Sequence, residues 1–322
     1  MYTSSRIRRA ILACLIVSLA ALALAACGGS ATGGGSTSTP AKPVISKDAL
    51  GNPINIPSTT PQRIVSLTPA DSEILAAVGA DAHVVAVDNF TDYPASMAAK
   101  PKISGADGKF NVERIVGLQP DLVLGAGGET PDVDKQLSDA HITVVDLPIA
   151  TNLDDILNDI TLVGQLVHAD PAAARLDASL RARIEAVKQK VAALPPVSTY
   201  VELDYSTPGK PFVFGGGSFG DEVIRDAGGS NVFGANTSGQ GFPQVSDESV
   251  IAANPQVIVL TEDPQFGGTP QAVYARGAWA GIAAVKNKRV YGMDPNIISR
   301  PGPRIVDALE RMAKLLHPEA FR

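Results

Sequence analysis

Along most of the chain, short apolar runs and amphipathic stretches take turns. Arg63–Leu67, His83–Val87, Asp121–Leu124 and Ile142–Asp146 are rich in β-branched residues and predict strands. Thr68-Pro69-Ala70-Asp71 opens a capped helix that Gly79 stops, and further helices are expected after Asn111, near Asp132–Ala140 and over Asn152–Val167. Strands that are apolar throughout, each followed by a helix, predict a parallel sheet covered on both faces. The alternation returns in the second half. Strands are expected at Thr199–Leu203, Phe212–Phe214, Gln256–Leu260 and Arg289–Tyr291, and helices at Phe219–Ala227, Asp247–Ala253 and Pro303–Leu316.

Between the halves, Asp170-Pro171 starts a helix predicted to reach Ala193, where Pro195-Pro196 ends it. Leu176, Leu180, Ile184, Val187 and Val191 alternate with a charged face of Arg175, Arg181, Arg183, Glu185, Lys188 and Lys190. At 1.5 Å per residue the helix is roughly 35 Å long, enough to cross from one α/β lobe to another. The expected division is a first lobe over 44–168, the helix over 169–194 and a second lobe over 195–322.

One phrase occurs twice. Residues 111–124, NVERIVGLQPDLVL, and residues 246–259, SDESVIAANPQVIV, align at a constant offset of 135 positions. Glu113 falls on Glu248 and Pro120 on Pro255, each copy running from a capping residue through a short helix to a β-branched run. That spacing is far beyond the roughly 20–50 residues of solenoid repeats. It points to two similar lobes, each presenting one carboxylate at an equivalent place.

The first residues bear on location. Arg6, Arg8 and Arg9 precede an apolar run, Ala10–Ala26, and Leu24-Ala25-Ala26-Cys27 has the small residues that a signal peptidase needs. The expectation is a lipoprotein signal over 1–26, lipid on Cys27, and a flexible Gly/Ser/Thr tether over 27–43. Its removal takes three of the 27 basic residues and leaves 24 against 33 acidic ones, a formal charge of −9. Such a balance argues against nucleic acid as a partner. The expected mature protein is an extracytoplasmic monomer, held at the cell membrane by lipid and lacking both disulfide and thiol chemistry.

RIVSLTPADSEIL, FTDYP, NVERIVGLQPDLVLG, FPQVSDESVIAANPQVIVL and SRPGPRIVDALERMA resemble the cobalamin and iron-siderophore type of periplasmic binding protein, over about residues 61–316. The resemblance implies an α/β fold of two Rossmann-like lobes with mostly parallel sheets, joined by a single long rigid helix. It also implies delivery of cobalamin or a related corrinoid, or of a ferric siderophore or haem, to an ABC permease, with no catalysis and no cofactor. Glu113 and Glu248 match the carboxylates that dock on the permease dimer. Phe90, Tyr93, Phe242 and Asn296, Ile297, Ile298, Ser299 and Arg300 match ligand-contacting positions, whereas the stacking tryptophans of a cobalamin binder are replaced near Asp107 and Ala126.

Other residues admit competing readings. Arg300 is expected to lean toward the cleft, Arg304 to pair with Glu310 or Asp307, and Arg276 to lie on the surface. The four histidines, His83, His141, His168 and His317, lack a second ligand at i+3 or i+4, so no metal site is expected, and His83 and His141 read as surface residues. Gly216–Gly220 fits G-x-S-x-G, which would make Ser218 a hydrolase nucleophile. Glycines approaching a ligand fit that segment better.

Overall fold

Among the described residues, nine strands are sorted into two sheets. The computed structural model describes residues 45–322 except 106, 107, 126 and 129. The signal 1–26, Cys27 and the tether 27–43 lie outside the described residues, as do Asp107 and Ala126. In the first half, β1 (Ile64–Ser66), β2 (Val84–Val87), β3 (Leu122–Leu124) and β4 (Val144–Val145) form an all-parallel sheet in the order β2-β1-β3-β4. In the second, β5 (Val197–Asp204), β6 (Phe212–Val213), β7 (Gly229–Asn231), β8 (Val257–Leu260) and β9 (Val290–Gly292) form a mixed sheet in the order β6-β5-β8-β9. There β6 is antiparallel to the end of β5, and β7 runs parallel to its start. Mixed α/β architecture with mostly parallel sheets agrees with the expectation.

β7 is the strand that apolar patterning does not reveal. Gly-Ser-Asn has no run to bury, and 228–229 reads only as a helix stop. The segment pairs because β5 needs a neighbour for Val197–Thr199. Gly229 is required because a side chain there would strike Ile224 and Leu316.

Period-two alternation divides each strand between two cores. Leu122 and Leu124 face a large inner core while Val123 faces outward, and in β8 Val257 and Val259 face the same inner core while Ile258 and Leu260 face outward. The inner core is continuous across both sheets. It is joined by Ala173, Leu180, Val187 and Val191 of the connecting helix, and by the helices Leu153–Leu166 and Ile305–Leu316. The connecting helix spans Asp170–Val191, 22 residues, two short of the expected end. Its length of roughly 33 Å is packed along one side against both halves, so it is a shared wall of the core more than a free spacer.

The repeated phrase persists in three dimensions at the same offset. Ile64 pairs with Leu122, and Thr199, 135 positions on, pairs with Val257. Arg63 O accepts from Asp121 N just as Ser198 O accepts from Gln256 N. The short helices Val112–Gly117 and Asp247–Ala253 are capped by Asn111 and Ser246 and anchored by fully buried Ile115 and Val250. Gln119 and Asn254 both turn the chain through left-handed backbone, at φ 49° and 47°, before the shared proline. Glu113 and Glu248 stand exposed at equivalent places on the two outer faces.

Where the connecting helix meets Leu153–Leu166, Gly164 lies so close to Ala173 that a Cβ would overlap that of the alanine. Gly164→Val is therefore expected to force the helices apart and to cost about 1–3 kcal/mol. A lower urea midpoint with an unchanged slope checks this, and an unchanged midpoint would contradict the close crossing.

Candidate functional site

The residues singled out around 90 and around 300 meet across the two halves. Loop 88–93, which follows β2, is fixed by a buried polar chain. Asp88 accepts from the Phe90 N–H at 2.6 Å and from the Thr91 hydroxyl, Thr91 Oγ1 lies 3.1 Å from Ser72 Oγ, and Ser72 donates to Ser66 Oγ at 2.9 Å. All four of these side chains are buried. The loop therefore holds Phe90 and Tyr93, exposed by 69% and 47%, on a rigid base.

Glu73, buried in the helix Pro69–Ala77, takes Arg304 of the other half in a two-pronged pair, Nε at 2.9 Å and Nη2 at 2.5 Å. Arg300 Nη1 lies 3.5 Å from Glu73, donates to Asp92 at 2.6 Å, and its Nη2 donates to the Phe90 carbonyl at 3.2 Å. Asn296 Nδ2 adds a bond to Asp92 at 3.0 Å, and the Arg304 guanidinium sits 4.2 Å from the centre of the Tyr93 ring. Paired, charge-assisted bonds of this kind are the strong ones. Both arginines are thus committed to carboxylates of the first half.

Beside this clamp lies a cavity of about 410 Å³. Thr68–Asp71, Leu147–Ala150 and Asp159 line it from the first half, and Phe219, Gln240, Phe242 and Ser299–Pro301 from the second. Phe219 and Phe242 stand 6.1 Å apart and both touch Phe214 at 5.8 Å, in tilted or edge-on pairs. They form an apolar wall. Opposite in character are Asp71 and Asp159, exposed by only 6% and 4%. Burial pushes Asp71 up to about 7, with Asp146 and Asp88 adding to the rise while the Thr68 hydroxyl pulls the other way. Burial pushes Asp159 up to about 8, reinforced by Asp71 and Asp155.

Phe242, Ser299 and Arg300 line the cavity, whereas Phe90, Tyr93 and Asn296 belong to the clamp at its side. Ile297 packs against the core and Ile298 is fully buried in it, so Ile298 offers a ligand no surface. Arg304 corrects the expectation of a local pair, because Asp307 and Glu310 are taken by Arg183 of the connecting helix. Arg276 also corrects its surface assignment. It is half-buried, holds Glu202 through bonds of 2.6 and 2.8 Å, and lies 3.4 Å from the Tyr205 ring and 4.5 Å from that of Trp279.

Ser218 is a helix cap. Its hydroxyl donates to the Gly215 carbonyl at 2.8 Å and accepts from the Asp221 N–H at 3.2 Å, and the residue is 3% exposed. Gly215 and Gly216 approach the backbone of Asn236 and Gly234, which is what the glycine run serves. His317 is buried on the Gly228 carbonyl, His168 bonds the Pro57 carbonyl, His83 is half-buried and His141 exposed. Among the described residues no group of three metal-ligating side chains converges.

Glu73 and Asp159 are the site residues that sequence reasoning passes over. For Asp159 a signal existed. It lies three residues after Ile156 and four before Val163, on the apolar stripe of its own helix, where a carboxylate is out of place.

The raised value gives a stability test. A carboxyl near 3.8 when unfolded and about 8 when folded favours the protonated fold. Its stabilising contribution is complete below the unfolded value and is lost as the pH climbs through about 8. Asp159→Asn should therefore melt higher than the wild type at pH 8, by about 1–3 kcal/mol of stability. It should also lose less between pH 5 and 8, with Asp71 keeping part of the slope. Thermal melts at the two pH values check this, and parallel curves would contradict it.

The same architecture recurs in known proteins. The family model described as Periplasmic binding protein matches residues 64–297. An uncharacterized ABC transporter substrate-binding lipoprotein of Bacillus subtilis is 31% identical over 317 residues, covering 94% of this chain and 96% of its own. Two solved structures are similar at 27% identity. One is the vitamin B12-binding protein of Vibrio cholerae, with TM-score 0.68 over 82% of this chain and 99% of that one. The other is a periplasmic haem-binding protein of Roseiflexus sp. RS-1, with TM-score 0.71 over 80% and 99%. Equal likeness to both leaves the ligand to be argued from the site. With the match over 64–297 spanning well beyond half its length, this chain belongs to the periplasmic binding protein family, as a substrate-binding protein of ABC transport.

Proposed function

We propose that the chain captures a corrinoid, cobalamin or a close relative, and hands it to an ABC permease at the outer face of the membrane, where lipid on Cys27 holds it. One observation carries the choice of ligand: the cations beside the cavity are already spent. Arg300 and Arg304 are engaged by Asp92 and Glu73, so carboxylate-bearing chelates such as haem, with its propionates, find no free guanidinium there. The described lining contains no histidine, tyrosine or methionine to ligate an open iron. A ligand whose metal is already fully coordinated, and whose rim is apolar and amide-bearing, fits the aromatic wall of Phe219 and Phe242 better. A corrinoid is larger than the cavity, so one edge enters it while Phe90 and Tyr93 flank the part that stays outside. A ferric siderophore of neutral or positive charge is the second reading, favoured by the same spent cations.

Glu113 and Glu248 serve as the docking carboxylates. They are exposed, they sit at equivalent places on the two halves, and Glu248 is held below the usual carboxylate range by its own backbone N–H and the Ser246 hydroxyl. A symmetric permease dimer needs two equivalent contacts from one asymmetric chain, and the internal repeat offers them.

Titration of the purified protein with cyanocobalamin, haemin and a ferric hydroxamate, followed by ligand absorbance and by emission of Trp279, tests the ligand. Cyanocobalamin should bind most tightly, and Phe242→Ala should weaken it by about tenfold or more, the loss of roughly 1–2 kcal/mol of aromatic contact. Tighter binding of haemin would overturn the corrinoid reading. Separately, the Glu113→Ala, Glu248→Ala double variant should keep its solution affinity and lose uptake in vesicles carrying the permease. Intact uptake would remove the docking role.

A further inference from the structure

The charges around the cavity do not balance once the clamp is complete. Arg300 and Arg304 face Glu73 and Asp92, two against two. Asp88 is bonded by Thr91 and the Phe90 N–H, with Lys102 and Arg300 nearby. Asp71 and Asp159 remain. Asp159 is 4% exposed and lines the cavity, yet among the described residues no donor meets its carboxyl. The charged groups that bear on it are Asp155 of its own helix and Asp71 across from it, both acids.

A purely structural role does not explain this arrangement. A buried polar group without a partner costs stability, and an asparagine or leucine at the same place would cost less. Two acids opening on one cavity are instead suited to meet a polar group brought in from outside. A neutral amide can donate N–H to one carboxyl and, through its carbonyl, accept a hydrogen bond from another that is protonated. A positive group gains from either carboxyl once it is ionised, and a carboxylate is then repelled by both.

We propose that Asp71 and Asp159 form the polar end of the cavity and select chelates that present N–H donors or positive charge there, such as peripheral carboxamides, over chelates that present carboxylates. This rests on the reading of the chain as a chelate-binding protein and names the chemistry that the cavity distinguishes. The aromatic wall supplies affinity for any flat or apolar edge, and the two acids decide which edge is admitted.

The test uses the purified protein at pH 9, where both carboxyls are ionised, with two kinds of probe. One is cyanocobalamin. The other is its separated monocarboxylic acids, in each of which one side-chain amide has been hydrolysed. The wild type should bind at least one of these acids about tenfold more weakly than cyanocobalamin. In Asp159→Asn, and in Asp71→Asn, that gap should shrink to about threefold or less because the acid probe gains. Asparagine keeps the volume of aspartate, and melting curves verify that both variants fold. If the wild type binds cyanocobalamin but the gap is absent, or is unchanged in both variants, the filter is wrong and the corrinoid reading stands. If the wild type binds neither kind of probe, the corrinoid reading fails and the filter falls with it.

Discussion

A single buried carboxylate, Glu73, sets the terms for the rest of the molecule. It lies in the first helix of one half and is nearly inaccessible, and its partners Arg304 and Arg300 belong to the other half. Removing one member of such a pair would leave a buried charge without compensation, which typically costs about 3–5 kcal/mol. The bond therefore fixes the approach of the two halves on one side, while the connecting helix and its continuous apolar core fix it on the other. It also consumes the guanidinium groups that would otherwise have offered the cavity its positive charge. The geometry of the clamp and the chemistry of the cavity are consequences of one interaction.

The repeat gives the molecule a second kind of order. Strand pairing, the capping residues, the left-handed turn and the buried anchor all recur at one offset, although the sequences agree at only a few positions. What is kept is what the backbone needs: a cap for the helix start, an apolar anchor at Ile115 or Val250, and a residue that tolerates positive φ before a proline. Glu113 and Glu248 are not required by any of these. Both stand in the first turn, where the helix dipole favours an acid by about 0.3–1 kcal/mol, but an aspartate or a second acid such as Asp247 would serve as well. Their matched exposure is thus not accounted for by folding alone.

How far the sequence could be read depended on whether a residue's role was set nearby or at a distance. The parallel strands, the caps and the long helix are local patterns, and they were legible. β7 was hidden because Gly-Ser-Asn pairs only through the demand of β5. Arg304 and Arg276 were misassigned for the same reason. Their partners Glu73 and Glu202 lie 231 and 74 positions away, so Arg304 was paired with nearer acids and Arg276 was read as a surface residue. Ser218 matched a nucleophile motif without being assigned that role, because its spacing from glycines is the same whether the hydroxyl attacks a substrate or caps a helix. Phe90 and Arg300 could be placed near each other through resemblance, yet nothing in the sequence said that Arg300 would already be bonded to Asp92 and to the Phe90 carbonyl.

Asp159 shows why the exceptions to local rules carry information. Asp159 lies on the apolar stripe of a helix packed against three others, with buried Ile156, Ile160, Leu162 and Val163 around it. A fold selected only for stability would continue that pattern, and burial raises the cost of the charged form until the carboxyl holds its proton into the neutral range. Sequences break consistency of this kind where something other than stability is at stake. Asp71, buried in the first turn of its own helix, opens on the same cavity between the two halves. The aromatic wall opposite obeys the rule, and under the proposed function it would attract any flat ligand without discrimination. In the proposed filter, discrimination rests on Asp159, whose carboxyl meets no donor among the described residues, and on Asp71 beside it.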